Sequence, residues 1–269
     1  MARVIVITSG KGGVGKTTTT SNIGMALARL GYSTLLVDAD VGLRNLDLLL
    51  GLESRIIYTG LDVLAEKCRI EQALINDKRQ SKLTFFPLSS NQANVPITKS
   101  QIKELIQLIE DKYEFILIDS PAGIDEGFQT SIVPAQEAVV VVTPEVPSIR
   151  DADKVIGLLV AQDIKKINLL VNRIRPKMVK TDDMMSIDDV KNILGIPLLG
   201  VIPDSEQIII ASNRGEPLVL EDNLSLPGLA FENTARRLIG EEVAFLNLDL
   251  PPSRNPMKRL FRNIMNKPT

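Results

Sequence analysis

The residues best placed to do chemistry stand near the start of the chain: Gly10-Lys11-Gly12-Gly13-Val14-Gly15-Lys16-Thr17-Thr18, directly behind the apolar run Val4-Ile5-Val6-Ile7. Gly10, Gly15, Lys16 and Thr17 satisfy the spacing glycine, four residues, glycine-lysine-threonine. In such a loop the glycines let backbone N–H groups wrap an anion, the lysine reaches the outer phosphates and the hydroxyl ligates Mg2+. Lys11 exceeds what that spacing requires. Lys16 and a following helix N-terminus already neutralise the phosphates, so the long arm of Lys11 is free to reach towards a second subunit.

Such a loop works only between a strand and a helix, because the helix adds N–H groups and the positive end of its dipole. The β-branched run before it reads as the strand, and Thr18 to Leu30 as the helix, with Ile23, Ala26, Leu27 and Leu30 on one face. Further strands end in residues of the same chemistry. Thr34-Leu35-Leu36-Val37 runs into Asp38-Ala39-Asp40, and Phe115-Ile116-Leu117-Ile118 into Asp119-Ser120-Pro121-Ala122-Gly123. Ligands of open α/β sheets sit at the carboxyl ends of the strands, which brings these carboxylates towards the γ-phosphate and its metal. Asp119 reads as the acid that holds Mg2+. The chain has no histidine, so the group that orients or deprotonates the attacking water is expected to be a carboxylate. Spacing alone allows Asp38 and Asp40 to exchange that role with the metal-side one.

Ala138 to Thr143 is expected to form a central strand, after which Ser148 reads as the N-cap of a helix carrying Arg150, Asp151 and Asp153. Ile167 to Val171 leads to Asn172, whose amide can both accept from and donate to the edge of adenine. Leu199 to Pro203 is expected to close the sheet, and helices are expected over Asp188–Leu194 and Leu229–Leu238. The alternation of strands and helices implies a doubly wound, mainly parallel α/β sheet with helices on both faces. With 269 residues and 44% hydrophobic content the chain can bury one large core. Its one cysteine, Cys68, excludes a disulfide framework or a CxxC metal site within one chain and reads as a buried or semi-buried thiol. Met1-Ala2-Arg3 runs directly into the first strand, and no apolar run is long enough to span a bilayer. The expected compartment is reducing: a bacterial cytoplasm or a plastid stroma.

The C-terminus carries a different pattern. At the end of residues 1–250, Leu250-Pro251-Pro252-Ser253 reads as loop-like and leads into a linker, and Asn255-Pro256 reads as the start of a helix. Met257, Leu260, Phe261, Ile264 and Met265 then form one apolar stripe, flanked by Lys258, Arg259, Arg262 and Lys267, with no acid from Pro251 onward. Such a helix in residues 251–269 suits the headgroup layer of an anionic membrane, as a peripheral anchor. A net charge of −2, with basic residues interleaved among apolar ones, favours lipid over nucleic acid.

The loop KGGVGKT with its early lysine resembles the deviant Walker A family of P-loop ATPases, which includes the ParA and MinD partitioning ATPases, the nitrogenase iron protein and the arsenite-pump ATPases. Asp40-Val41-Gly42-Leu43-Arg44-Asn45-Leu46-Asp47, Asp119-Ser120-Pro121-Ala122-Gly123-Ile124, the Arg150-Asp151 pair and the basic amphipathic tail are together similar to the MinD branch. The resemblance implies a three-layer P-loop fold and an ATPase that acts in division-site placement. It implies that Lys11 reaches the ATP phosphates of a partner copy, so that ATP binding makes a homodimer. It assigns Asp40 to the water, Asp38 to the metal surroundings, Asn172 to the adenine and the backbone of Pro203-Asp204 to the base. It places Arg44, Asn45 and Asp151 on switch or dimer surfaces. It also implies a MinE-type activator and a MinC-type inhibitor as partners. The competing readings are a ParA-type DNA- or cargo-positioning ATPase and a metabolic ATP-dependent enzyme of the same fold.

Overall fold

A computed structural model describes residues 2–41, 44–89 and 96–248. Eight strands build one sheet: β1 (Arg3–Thr8), β2 (Thr34–Asp38), β3 (Ile75–Asn76), β4 (Leu83–Pro87), β5 (Phe115–Asp119), β6 (Glu137–Val142), β7 (Lys166–Ile174) and β8 (Leu198–Pro203). Their spatial order is β3-β4-β2-β5-β1-β6-β7-β8. Every neighbouring pair is parallel except β3 with β4. The doubly wound, mainly parallel architecture is therefore as the sequence implies.

Successive residues of a strand point to opposite faces, and here both faces are covered, which is why the strands read as unbroken apolar runs. Val4, Val6, Ile116, Ile118, Val140 and Val142 belong to one buried layer, whereas Ile5, Ile7, Leu117, Val139 and Val141 belong to the other. The single core expected from composition is thus two cores with the sheet between them. Into the second layer pack α1 (Lys16–Arg29) through Ile23 and Leu27, the short α2 (Leu46–Leu50), and α11 (Leu226–Leu238) through Phe231 and Leu238. The first layer takes Ile102 and Leu105 of α5 (Lys99–Gln107), Phe128 of α6 (Glu126–Ser131), Val155 and Leu159 of α7 (Val146–Ala161), and Val190 of α9 (Ile187–Leu194). The remaining helices are α3 (Gly60–Leu64), α4 (Ile70–Ala73), α8 (Pro176–Lys180) and α10 (Glu206–Arg214).

Four details correct the sequence reading. Leu198–Pro203 does form an edge, but the opposite edge is built by β3 and β4, which the sequence reading lacks; β4, Leu-Thr-Phe-Phe-Pro, is a short apolar run whose terminal proline weakens its strand signature. Ser148 does not cap α7. Glu145 precedes that helix, Pro147 occupies its first turn, where a missing N–H costs nothing, and the Ser148 hydroxyl accepts from the Thr143 N–H at 3.1 Å. Asn172 lies inside β7 and not beyond it, at an irregularity between Val171 and Ile174 where Arg173 takes a left-handed φ of 57°. Helix α11 starts at Leu226, before the expected Leu229, because Pro227 stands in its first turn.

Candidate functional site

The register of the three central strands assembles the site. Ile7 of β1 and Asp38 of β2 are both in register with Asp119 of β5, so the phosphate loop and the two carboxylates emerge side by side at one end of the sheet. Backbone bonds lock this junction: Ala39 N–H donates to Asp119 O at 3.0 Å and Ser120 N–H to Ile7 O at 3.1 Å.

The loop turns through two glycines in left-handed conformations, Gly13 (φ 76°) and Gly15 (φ 99°), the latter standing directly before Lys16, the first residue of α1. A Cβ on Gly15 would come within 2.3 Å of the Asn172 amide nitrogen, and one on Gly10 within 2.4 Å of the Asp151 backbone. One on Gly13 would meet nothing within 4 Å, which leaves the crest of the loop open to an anion. Gly12, Val14 and Thr18 complete the loop and the first turn of the helix.

The two lysines of the loop part company. Lys16 is only 8% exposed and faces Asp119 and Asp40; burial lowers its pKa, and the two carboxylates work against that shift. Lys11 keeps 43% of its side chain exposed and lies 3.4 Å from the Glu145 carboxylate.

Asp38 and Asp119 are both buried. Burial raises the Asp38 pKa well above the ordinary carboxylate value, and the neighbouring Asp119 raises it further. Its oxygens accept from the N–H groups of Asp40 at 3.1 Å and Leu46 at 3.2 Å. Burial likewise pushes Asp119 up to about 6, against hydroxyl bonds from Thr17 and Thr20 and the charge of Lys16. Two carboxylates crowded at adjacent strand ends repel each other, and a cation relieves that repulsion. Among the described residues no three acidic, cysteine or histidine groups cluster tightly enough to enclose a metal by themselves. Mg2+ suits such a place, since it uses one or two carboxylates together with substrate phosphates and water. An open anion cradle, a buried lysine, a threonine hydroxyl and paired carboxylates therefore fit a magnesium nucleotide.

The remaining candidates lie around this centre. Asn172 donates to Val14 O at 2.8 Å and accepts from Arg173 N–H at 2.9 Å, leaving one N–H and one lone pair of its amide. Pro203 is in register with Ile174; Asp204 donates its N–H to Ile174 O at 3.0 Å and takes the Arg175 guanidinium at 2.7 Å. Arg44 is held by Asp47 at 2.8 Å and Ser89 O at 3.0 Å, and Asn45 stands just ahead of α2. Asp151 lies in α7, with its carboxylate 3.3 Å from Lys154. Cys68 is half-buried and is the only cysteine of the chain. Met257, Lys258, Arg259, Leu260, Phe261, Arg262, Ile264 and Met265 lie outside the described residues. Glu145 and Thr20 are the neighbours of the site that sequence reasoning passes over; the one available signal was the unusual run Thr17-Thr18-Thr19-Thr20 at a helix start.

Comparison with known proteins agrees with this geometry. Residues 5–218 match the family model of the CobQ/CobB/MinD/ParA nucleotide binding domain. The septum site-determining protein MinD of Emiliania huxleyi is 68% identical over 267 residues, covering 99% of this chain and 98% of the relative. The solved MinC:MinD cell division complex of Aquifex aeolicus superposes with a TM-score of 0.83 at 47% identity, over 94% of this chain and 99% of that one. MinD of Pyrococcus horikoshii, solved with Mg-ADP, gives a TM-score of 0.80 at 30% identity, over 89% and 97% of the two chains. A family model matched over residues 5–218, 68% identity to one relative over 99% of this chain and a like fold over 94% of it lead to one conclusion: the chain belongs to the MinD family of septum-site-determining ATPases.

Proposed function

We propose that ATP joins two copies of this chain, that the joined pair holds an anionic membrane, and that hydrolysis releases it. The observation that supports this reading best is the division between the two loop lysines. Lys16 is withdrawn into the chain's own site, whereas Lys11 is exposed and lies 3.4 Å from the exposed Glu145 carboxylate. An exposed ion pair of this kind contributes little, about 0–1 kcal/mol, so Lys11 is readily transferred to the phosphates of a second copy.

Within each copy, Gly10 to Thr18 wraps the phosphates. Thr17, Asp38 and Asp119 would hold Mg2+, which would supply positive charge against the phosphates. Asp40, partly exposed beside this pair, orients the attacking water. The N–H and lone pair left on Asn172 read the adenine edge, and the backbone of Pro203-Asp204 covers the base.

Residues 251–269 serve as the membrane anchor of the ATPase domain formed by residues 1–250. Half-burying five apolar side chains contributes ~5 kcal/mol and each basic residue ~1 kcal/mol near an anionic surface. Ordering about a dozen residues offsets most of that, which leaves one tail marginal. Two tails on one dimer raise avidity by ~10²–10⁴. Membrane residence then depends on ATP. Among the described residues no helix is long and apolar enough to cross a membrane. The place of action is the inner face of a bacterial membrane or the stromal face of a plastid one.

A MinE-type activator meets the membrane-bound dimer and stimulates turnover. The Aquifex relative solved in a MinC:MinD complex supports a MinC-type inhibitor as a further partner. Nucleic acid is not expected among the ligands. Co-sedimentation with anionic liposomes in ATP and in ADP tests the whole reading. Pelleting is expected in ATP only; equal pelleting in both states, or none in either, overturns it.

A further inference from the structure

The run Thr17-Thr18-Thr19-Thr20 opens α1 with β-branched residues that helices disfavour, although only Thr17 and Thr18 belong to the phosphate loop and its first turn. Thr20 is fully buried and touches no solvent, so it contacts neither nucleotide nor metal directly. Its hydroxyl lies 3.0 Å from Lys16 O and also 3.0 Å from Asp119 Oδ1. The first contact is the back-bond open to a helical threonine, and it competes with the second for the single hydroxyl proton. The second is specific to this site, because it crosses from α1 to the end of β5 and ends on the carboxylate assigned to Mg2+. Thr17 and Thr20 are three apart on one helix face, and of the two hydroxyls that of Thr20 donates to Asp119 at 3.0 Å.

We infer that Thr20 is a positioning residue for the Mg2+ site: by holding Oδ1 of Asp119 it turns the rest of that carboxylate towards the metal. This rests on the assignment of Asp119 to Mg2+. A hydroxyl bond to a buried carboxylate is worth more than a neutral one, and without it the carboxylate rotates or is left short of a donor. Mg2+ then binds a less ordered ligand, and of the phosphate loop only the Lys16 carbonyl loses a contact.

The test titrates Mg2+ into the intact protein holding a fluorescent ATP analogue, after the analogue's affinity has been measured in EDTA. For Thr20→Val the Mg2+ midpoint is expected to rise about tenfold, with affinity in EDTA within about twofold of wild type. Thr20→Ser, which keeps the hydroxyl, is expected to return the midpoint to within about twofold. A wild-type midpoint in Thr20→Val overturns the proposal, as does a Ser variant as impaired as the Val variant. Thr20→Ala replaces Thr20→Val should the latter fail to fold, with the same expected rise and the same overturning result. Asp119→Asn serves as the reference: if its midpoint is also unchanged, the Mg2+ assignment of Asp119 itself fails, whereas a large shift there beside an unmoved Thr20→Val refutes the role of Thr20 alone.

Discussion

Lys16 and Lys11, five residues apart on one loop, have such different surroundings that their substitutions should separate two functions. Lys16→Ala is expected to lower nucleotide affinity by at least 100-fold, measured by equilibrium binding, because the anion loses its only buried cation on the loop. Lys11→Ala should leave monomer affinity within a few fold and prevent the ATP-dependent dimer; light scattering that still reports a dimer would make Lys11 a bystander. Asp40→Ala is expected to slow turnover by 10²-fold or more while ATP binding persists, so that the protein accumulates on liposomes in ATP. Asp119 carries a pH prediction. A carboxylate raised from 3.8 to about 6 binds its proton more tightly folded than unfolded, so nucleotide-free stability falls as pH rises from about 4 through 6. Asp119→Asn should then be more stable than wild type at pH 7.5 without Mg2+, by ~1–2 kcal/mol, with the gain shrinking below pH 6. Thermal melts at pH 7.5 and at about pH 5 check this, and an Asn variant that melts lower at pH 7.5 contradicts it.

Among the elements, α7 is coupled to the phosphate loop without sharing its motif. The start of the loop presses on the backbone of this helix so closely that a methyl at Gly10 would come within 2.4 Å of the Asp151 carbonyl. Glu145, at the head of α7, meets Lys11. Gly10→Ala must therefore displace either the loop or α7, since backbone cannot move aside as a side chain does. The expected result is loss of nucleotide binding with a fall in stability of ~1–3 kcal/mol by denaturant titration. Binding that survives would show that α7 yields without disturbing the loop. At the other end of the chain, Arg237 ties residues 243–245 to the body: its guanidinium donates to the carbonyls of Val243 at 2.7 Å, Ala244 at 2.9 Å and Leu199 at 3.0 Å, and it lies 4.0 Å over the Phe245 ring. The chain is thereby held to the domain close to the point where the proposed anchor begins.

For the molecule as a whole, the decisive quantity is the proposed coupling between nucleotide state, copy number and membrane attachment. Removing the residues after Pro252 should abolish liposome pelleting and leave ATP affinity within about twofold, because the site lies wholly in the preceding domain. A metabolic enzyme of the same fold would show no lipid phenotype at all, and a DNA-positioning ATPase would instead show salt-sensitive binding to non-specific DNA.

The sequence by itself determined the chemistry of the loop, the sheet class and the strand-end carboxylates, because glycine-lysine-threonine spacing and unbroken β-branched runs are local signals that no distant contact can counterfeit. It also carried the family, through Lys11 and the motifs around Asp40 and Asp119. Only the tertiary structure decided that Asp38 and Asp119 stand in register on adjacent strands and so perturb each other, that Lys16 is buried while Lys11 is not, and that Asn172 braces Val14 from inside β7. The same holds for β4, for Ser148 turned back to Thr143, and for Thr20 against Asp119. Each of these depends on which segments, far apart in the chain, the sheet brings together, and burial and pairing of that kind leave no periodic trace in the sequence.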